Sequence, residues 1–72
     1  MDTTVENCTF NINGRSVMLI CDVTRDVGVP GLDLARPKPN TTPADVSASA
    51  VYAYSNDRGE FRRAKLVFAR WG

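Results

Sequence analysis

The alternation of apolar and polar positions is clearest between Cys8 and Cys21. Cys8, Phe10 and Ile12 recur at every second position, as do Val17, Leu19 and Cys21, with Asn13-Gly14 between the two runs. A period of two is the signature of a half-buried strand. Asn-Gly tolerates best the two positive φ angles of a type I′ turn, whose twist matches that of the strands it joins. The two-residue loop sets the register: Ile12 opposite Arg15, Phe10 opposite Val17 and Cys8 opposite Leu19, with the apolar side chains on one face. Met18 and Ile20 make the second strand apolar on its other side as well, which predicts a central strand covered on both faces. This first hairpin spans about residues 5–24.

From Asp26 the alternation dissolves. Prolines at 30, 37, 39 and 43 argue against a central strand and predict an extended, polyproline-like loop over about residues 26–45. Loops longer than about 12 to 15 residues are often functional or ordered by a partner. Leu32 and Leu34 are expected to fasten its first half to the core, leaving Arg36 to Pro43 exposed.

A second alternating stretch, about residues 46–71, is broken by Asn56-Asp57-Arg58-Gly59, which reads as a four-residue loop around a type I turn. That loop places Tyr54 opposite Phe61, Tyr52 opposite Arg63 and Ala50 opposite Lys65. Val51, Ala53, Ala64, Leu66 and Phe68 then form the core face. A helix competes with this hairpin: Asp57 and Glu60 have capping-box spacing, and Phe61, Ala64, Phe68 and Trp71 fall near helical spacing. Thr42-Pro43-Ala44-Asp45 also resembles a helix start, of one turn at most. The expected fold is mainly β: one domain over residues 1–72, with two antiparallel hairpins of about four strands forming a small barrel or twisted sheet around the Pro-rich loop.

Composition supports a folded chain, at 43% hydrophobic and 24% charged, and 72 residues allow one core. Stability at this size is thin, so self-association or a protein partner is expected to contribute. The net charge of +1 conceals a polarity along the chain. Residues 1–35 set Arg15 and Arg25 against five carboxylates, a balance of −3, whereas residues 56–72 set five cations against Asp57 and Glu60, a balance of +3. Either the halves neutralise each other in the fold, or the polarity serves a two-faced contact. Val17 to Cys21 is the longest apolar run, so no membrane span is expected, and Met1 to Thr4 lacks the basic start of a secretory signal. A cytoplasmic location follows, with Cys8 and Cys21 as reduced thiols. They lie diagonally on one face, where a disulfide is sterically marginal. Asn7-Cys8-Thr9 and Asn40-Thr41-Thr42 are then chance matches to glycosylation sequons.

The chemistry available argues against an enzyme, a metal site or a cofactor. There is no histidine, the commonest general base and transition-metal ligand. Two cysteines cannot complete a zinc site, Asp22, Asp26 and Asp33 match no calcium loop, and Gly28-Val29-Pro30-Gly31 precedes no lysine of a phosphate loop. Two binding surfaces compete. The leading one joins the loop to the chain end: Leu32, Leu34, Arg36, Lys38, Arg70 and Trp71, with Trp and Arg as residues that dominate protein interfaces. It implies a non-enzymatic β module making protein–protein contact, as an assembly subunit or an inhibitor-like accessory protein of phage or mobile-element character. The alternative interleaves aromatics and cations, Tyr52, Tyr54, Phe61, Arg63 and Lys65, to bind single-stranded nucleic acid. Against that alternative stands a core role for the aromatics, with the arginines guarding a strand edge.

Overall fold

The computed structural model describes residues 3–39, 41 and 50–67. Five strands, β1 (Thr3–Ile12), β2 (Arg15–Arg25), β3 (Asp33–Pro37), β4 (Val51–Ser55) and β5 (Phe61–Leu66), close into a barrel in the order β1-β2-β3-β5-β4. Three strands run as a meander, and a long connection returns β4 to the side of β1, which is a Greek key. β3 and β5 pair in parallel and the other neighbours are antiparallel. The described residues contain no helix, and none therefore long and apolar enough to cross a membrane.

The first hairpin forms as its turn dictates. Asn13 and Gly14 have φ of 53° and 77°, and Ile12, Phe10 and Cys8 face Arg15, Val17 and Leu19. Ten consecutive pairs make this the longest ladder of the barrel. Cys8, Phe10, Ile12, Leu19, Cys21 and Val23 point inward, joined by Ala35, Tyr54, Ala64 and Leu66. Phe10 stacks at a tilt on Tyr54, with ring centroids 5.1 Å apart, and meets Tyr52 edge-on at 6.2 Å. Met18 and Ile20 depart from expectation. They are 72% and 44% exposed, so among the described residues β2 is covered on its inner face alone.

The largest correction is β3. The segment expected to be an extended loop contains a strand paired on both sides, with Asp22 opposite Arg36 and Asp33 opposite Ala64. Proline is accommodated because Pro37 is the last residue of the strand. Lys38 N–H donates to Ile20 C=O at 2.8 Å, so the hydrogen-bonded positions alternate and Pro37 stands opposite Cys21 in a pair that needs no N–H. Pro37 is fully buried. The connection from β2 is compact: Asp26 N–H donates to Leu32 C=O, and the Asp26 carboxylate accepts from Gly28 N–H. Leu32 is buried and fastens this segment as expected, whereas Leu34, expected to do the same, is half-buried and takes the outward parity of Arg36 because Asp33, Ala35 and Pro37 point inward.

The second hairpin exists, and strand replaces the helical alternative over Phe61–Leu66. Its register differs from the expected one by a single residue. Ser55, not Tyr54, stands opposite Phe61, while Tyr54 faces Arg62 and Tyr52 faces Ala64. The loop holds five residues rather than four, closed by Asn56 N–H to Glu60 C=O at 3.0 Å and Gly59 N–H to Asn56 C=O at 3.0 Å. A shift of one residue sends side chains to the opposite face. Tyr52 and Tyr54 therefore turn inward, and Val51 and Ala53, expected in the core, turn outward. The helix start at Thr42 to Asp45, the strand residues expected at 46–49, and Phe68, Arg70 and Trp71 lie outside the described residues.

Candidate functional site

Two clusters of polar side chains organise the molecule, one inside the barrel mouth and one on its outer wall. The inner cluster is built by the inward parity of β5, where Arg62 precedes Ala64 and Leu66. Arg62 grips the buried Asp33 carboxylate with both ends of its fork, Nε to Oδ2 at 2.8 Å and Nη2 to Oδ1 at 3.1 Å. The Tyr54 hydroxyl donates to the same Oδ2 at 2.8 Å. Burial pushes the Tyr54 hydroxyl well above its ordinary pKa, and the bond to Asp33 and that carboxylate's charge push it further. Burial opposes the charge on Arg62, but the bond to Asp33 and its charge outweigh that and the pKa of Arg62 is raised.

Beside it, the second buried carboxylate is held more loosely. Glu6 meets Arg58 Nη2 and Asn56 Nδ2, each at 3.4 Å. Asn56 is the knot of the β4–β5 loop: its carbonyl oxygen accepts from the N–H groups of Arg58 and Glu60, both at 3.0 Å, and its amide donates to Glu60 Oε1 at 2.9 Å. That last bond and the nearby Arg58 guanidinium lower the pKa of Glu60. Each bridge in the mouth, Arg58–Glu6 and Arg62–Asp33, joins the acidic first part of the chain to its basic last part. The sequence polarity is thus partly neutralised within the fold.

Cys8 and Cys21 are free, buried and in side-chain contact. The neighbouring Cys21 thiol, then burial, drive the Cys8 pKa far upward, and the Cys8 thiol donates to the Glu6 carbonyl at 3.8 Å, so Cys8 is held as a thiol rather than a nucleophilic thiolate. Asp22, Asp26 and Asp33 do not converge. Asp22 pairs with Lys38 at 3.0 Å, Asp26 caps its own turn, and Asp33 is held by Arg62. No group of three metal-ligating side chains occurs among the described residues.

The outer wall gathers what remains of both sequence-predicted surfaces. Leu34 and Arg36 project from β3, and the parallel register sets Leu34 opposite Lys65 on β5. Arg63 and Phe61 continue the same outward row of β5. Leu34, Arg36, Arg63 and Lys65 therefore lie together on the outer side of β3 and β5, with Lys38 at the border, while Phe61 stands at the other end of the β5 row, against β1 and β4. Arg36, Arg63 and Lys65 enter no ion pair among the described residues. Phe61 is 88% exposed and forms the wall of a shallow groove of about 260 Å³ over Thr9, Asn11, Ala53 and Ser55. Leu32, Tyr52 and Tyr54 do not join this face, since Leu32 and Tyr54 are buried and Tyr52 packs on the core. Sequence reasoning missed Arg62, Asp33 and Asn56 as a structural unit. One signal was available, a lone arginine at the parity of Ala64 and Leu66.

The class is thus a small five-stranded Greek-key barrel with a cationic outer wall. In comparisons with known proteins, no family model, curated protein or solved structure matches this chain.

Proposed function

We propose that this barrel binds single-stranded nucleic acid across the outer face of β3 and β5. The observation that carries the reading is the sorting of charge. Glu6, Asp33 and Asp22 are each engaged by a cation, while among the described residues Arg36, Arg63 and Lys65 enter no ion pair on the outer side of β3 and β5, and the exposed Phe61 begins the same row of β5 as Arg63 and Lys65. The net charge of +1 understates that wall. Phosphates meet the cations and a base stacks on the ring, the division of labour of sequence-tolerant single-strand binders. Leaving a phenylalanine in water forgoes about 2 kcal/mol of burial, which a stacked base recovers. Five-stranded Greek-key barrels of the oligonucleotide- and oligosaccharide-binding type bind on the face of their second and third strands, of which the cationic wall shares β3.

The test is fluorescence anisotropy with a labelled oligo-dT at low and moderate salt. Three phosphate contacts give a slope of log K against log salt of about −2. Phe61→Ala weakens binding at fixed salt by about 1–3 kcal/mol and leaves the slope unchanged. Arg63→Ala with Lys65→Ala flattens the slope by about 1.4. Absence of any anisotropy change at low salt sinks the proposal. A second reading, protein–protein contact, is favoured by a different observation: Met18 and Ile20 form an exposed apolar pair on β2, the strand next to β3, with Ile20 level with Lys38 at the border of the cationic wall.

A further inference from the structure

The backbone of β1 leaves a row of hydrogen-bonding groups unused. In a two-residue hairpin the pair flanking the turn, Ile12 and Arg15, exchanges both backbone bonds. Alternation then directs Phe10, Cys8, Glu6 and Thr4 toward β2, and Asn11, Thr9, Asn7, Val5 and Thr3 the other way. One contact verifies this parity. Ile20, which stands opposite Asn7, gives its carbonyl to Lys38 rather than to β1.

Pairing with β4 covers Thr9 and Phe10. Toward the start of β1, the N–H and C=O groups of Thr3, Val5 and Asn7 have no backbone partner among the described residues. All three residues are exposed, Val5 to 62%. Such an edge is ordinarily blunted by lysine, proline or a bulge, and none of these interrupts Thr3 to Asn7.

We propose that this edge pairs with the same edge of a second copy of the chain, antiparallel about a two-fold axis through Val5. The parity is self-complementary. Val5 faces Val5 of the second copy and Thr3 faces Asn7, every one in a hydrogen-bonding position, so the ladder continues without a bulge. A two-fold contact requires one patch to fit itself, and an odd-numbered outward row centred on Val5 does so. Charge also permits it. The edge residues are neutral, and the open groove beside them, about 470 Å³ and bordered by Thr4, Val5, Glu6, Asp57 and Arg58, carries Asp57 and Arg58 near the axis. Arg58 is already engaged there by Glu6 and Glu60 of its own chain. The contact is small, so the dimer belongs to the weak class, with Kd on the order of 100 μM. It stands independently of nucleic-acid binding, since the cationic wall lies on β3 and β5.

The experiment combines sedimentation velocity over a concentration series with amide hydrogen exchange. The wild-type chain is expected to dimerise as concentration rises, with exchange slowing at Thr3, Val5 and Asn7 while Thr4, Glu6 and Cys8 stay protected throughout. Val5→Pro deletes an N–H that the barrel itself does not use and should give a monomer with the β1–β2 ladder intact. Val5→Lys sets two like charges on the axis and should also give a monomer; should the proline variant unfold, the lysine variant decides. A wild-type chain monomeric to about 1 mM, concentration-independent exchange at Val5, or undiminished dimerisation of Val5→Lys overturns the proposal. An added extended peptide that protects this edge in a chain that never self-associates overturns it equally.

Discussion

Arg62 and Arg63 are neighbours in sequence and identical in chemistry, yet they live in different worlds. Arg62 enters the barrel mouth and closes both arms of its fork on Asp33, while Arg63 projects into solvent beside Phe61. The period of two along β5 separates them, and the five-residue loop decides which goes where. With a four-residue loop the assignments of Tyr52 and Tyr54 would reverse against β5, and the aromatic pair expected to meet nucleic acid would do so. The inner arginine is part of what holds the fold; the outer one is available for a ligand.

The sharpest way to break that contrast is to delete the inner cation. Arg62→Ala strands the Asp33 carboxylate, 5% exposed at its side chain, with the Tyr54 hydroxyl as its remaining bond. An uncompensated buried charge costs about 3 kcal/mol or more, which for a domain this small lowers Tm on the order of 15 °C. Asp33→Ala should cost less, about 2 kcal/mol, because the Arg62 side chain is 37% exposed and can turn to water. Thermal melts of both variants check the order, and the reverse ranking would mean that Arg62 cannot escape the mouth.

Alkali attacks the same interior by another route. Cys8 and Tyr54 both have folded pKa values above their ordinary ones of 9.0 and 10.0. Below those ordinary values both groups are protonated in either state, and stability is full. Above them the unfolded chain releases protons that the folded chain retains, so each group withdraws about 1.4 kcal/mol of stability per pH unit until its folded pKa is passed. Urea midpoints should therefore fall from about pH 9 upward, and the fall should be shallower in Cys8→Ala. A flat profile to pH 11 would contradict the raised values.

How much of this was legible beforehand depends on whether local chemistry or distant contact settled each point. Asn13-Gly14 fixes its turn and register by φ preference alone, and all three expected pairs are found. The strand at β3 was hidden because Pro37 and the short Leu32-Asp33-Leu34 stretch carry no alternation that survives out of context. Pairing to β2 and β5 makes it a strand, and the position of Pro37 in a pair without hydrogen bonds makes it possible. In the second hairpin, turn residues located the loop but not its length, because Asn56 uses its side chain to gather Arg58 and Glu60 into the turn. That one residue moved the two tyrosines from wall to core. Of the predicted surface residues, Phe61, Arg63 and Lys65 keep their outward place from one set and Arg36 from the other, while Leu34, expected to fasten the segment to the core, turns outward. The merging of the two sets rests on a parallel pairing that no local pattern announces.

The smallest effect is the most discriminating. Arg63→Ala removes a cation that makes no ion pair among the described residues, so stability should move by less than about 0.5 kcal/mol. Urea denaturation should show the same midpoint and the same slope as the wild-type chain, because truncating an exposed side chain hardly changes the surface buried on folding. Affinity for oligo-dT should nevertheless fall, and its salt dependence should flatten by about 0.7 for the single contact removed. A loss of stability near that of Arg62→Ala would place Arg63 in a structural role and dissolve the distinction between inner and outer arginine. Unchanged stability with unchanged binding would keep the distinction and leave Arg63 outside the nucleic-acid surface, a result that turns attention to the exposed apolar pair Met18 and Ile20 on the neighbouring strand β2.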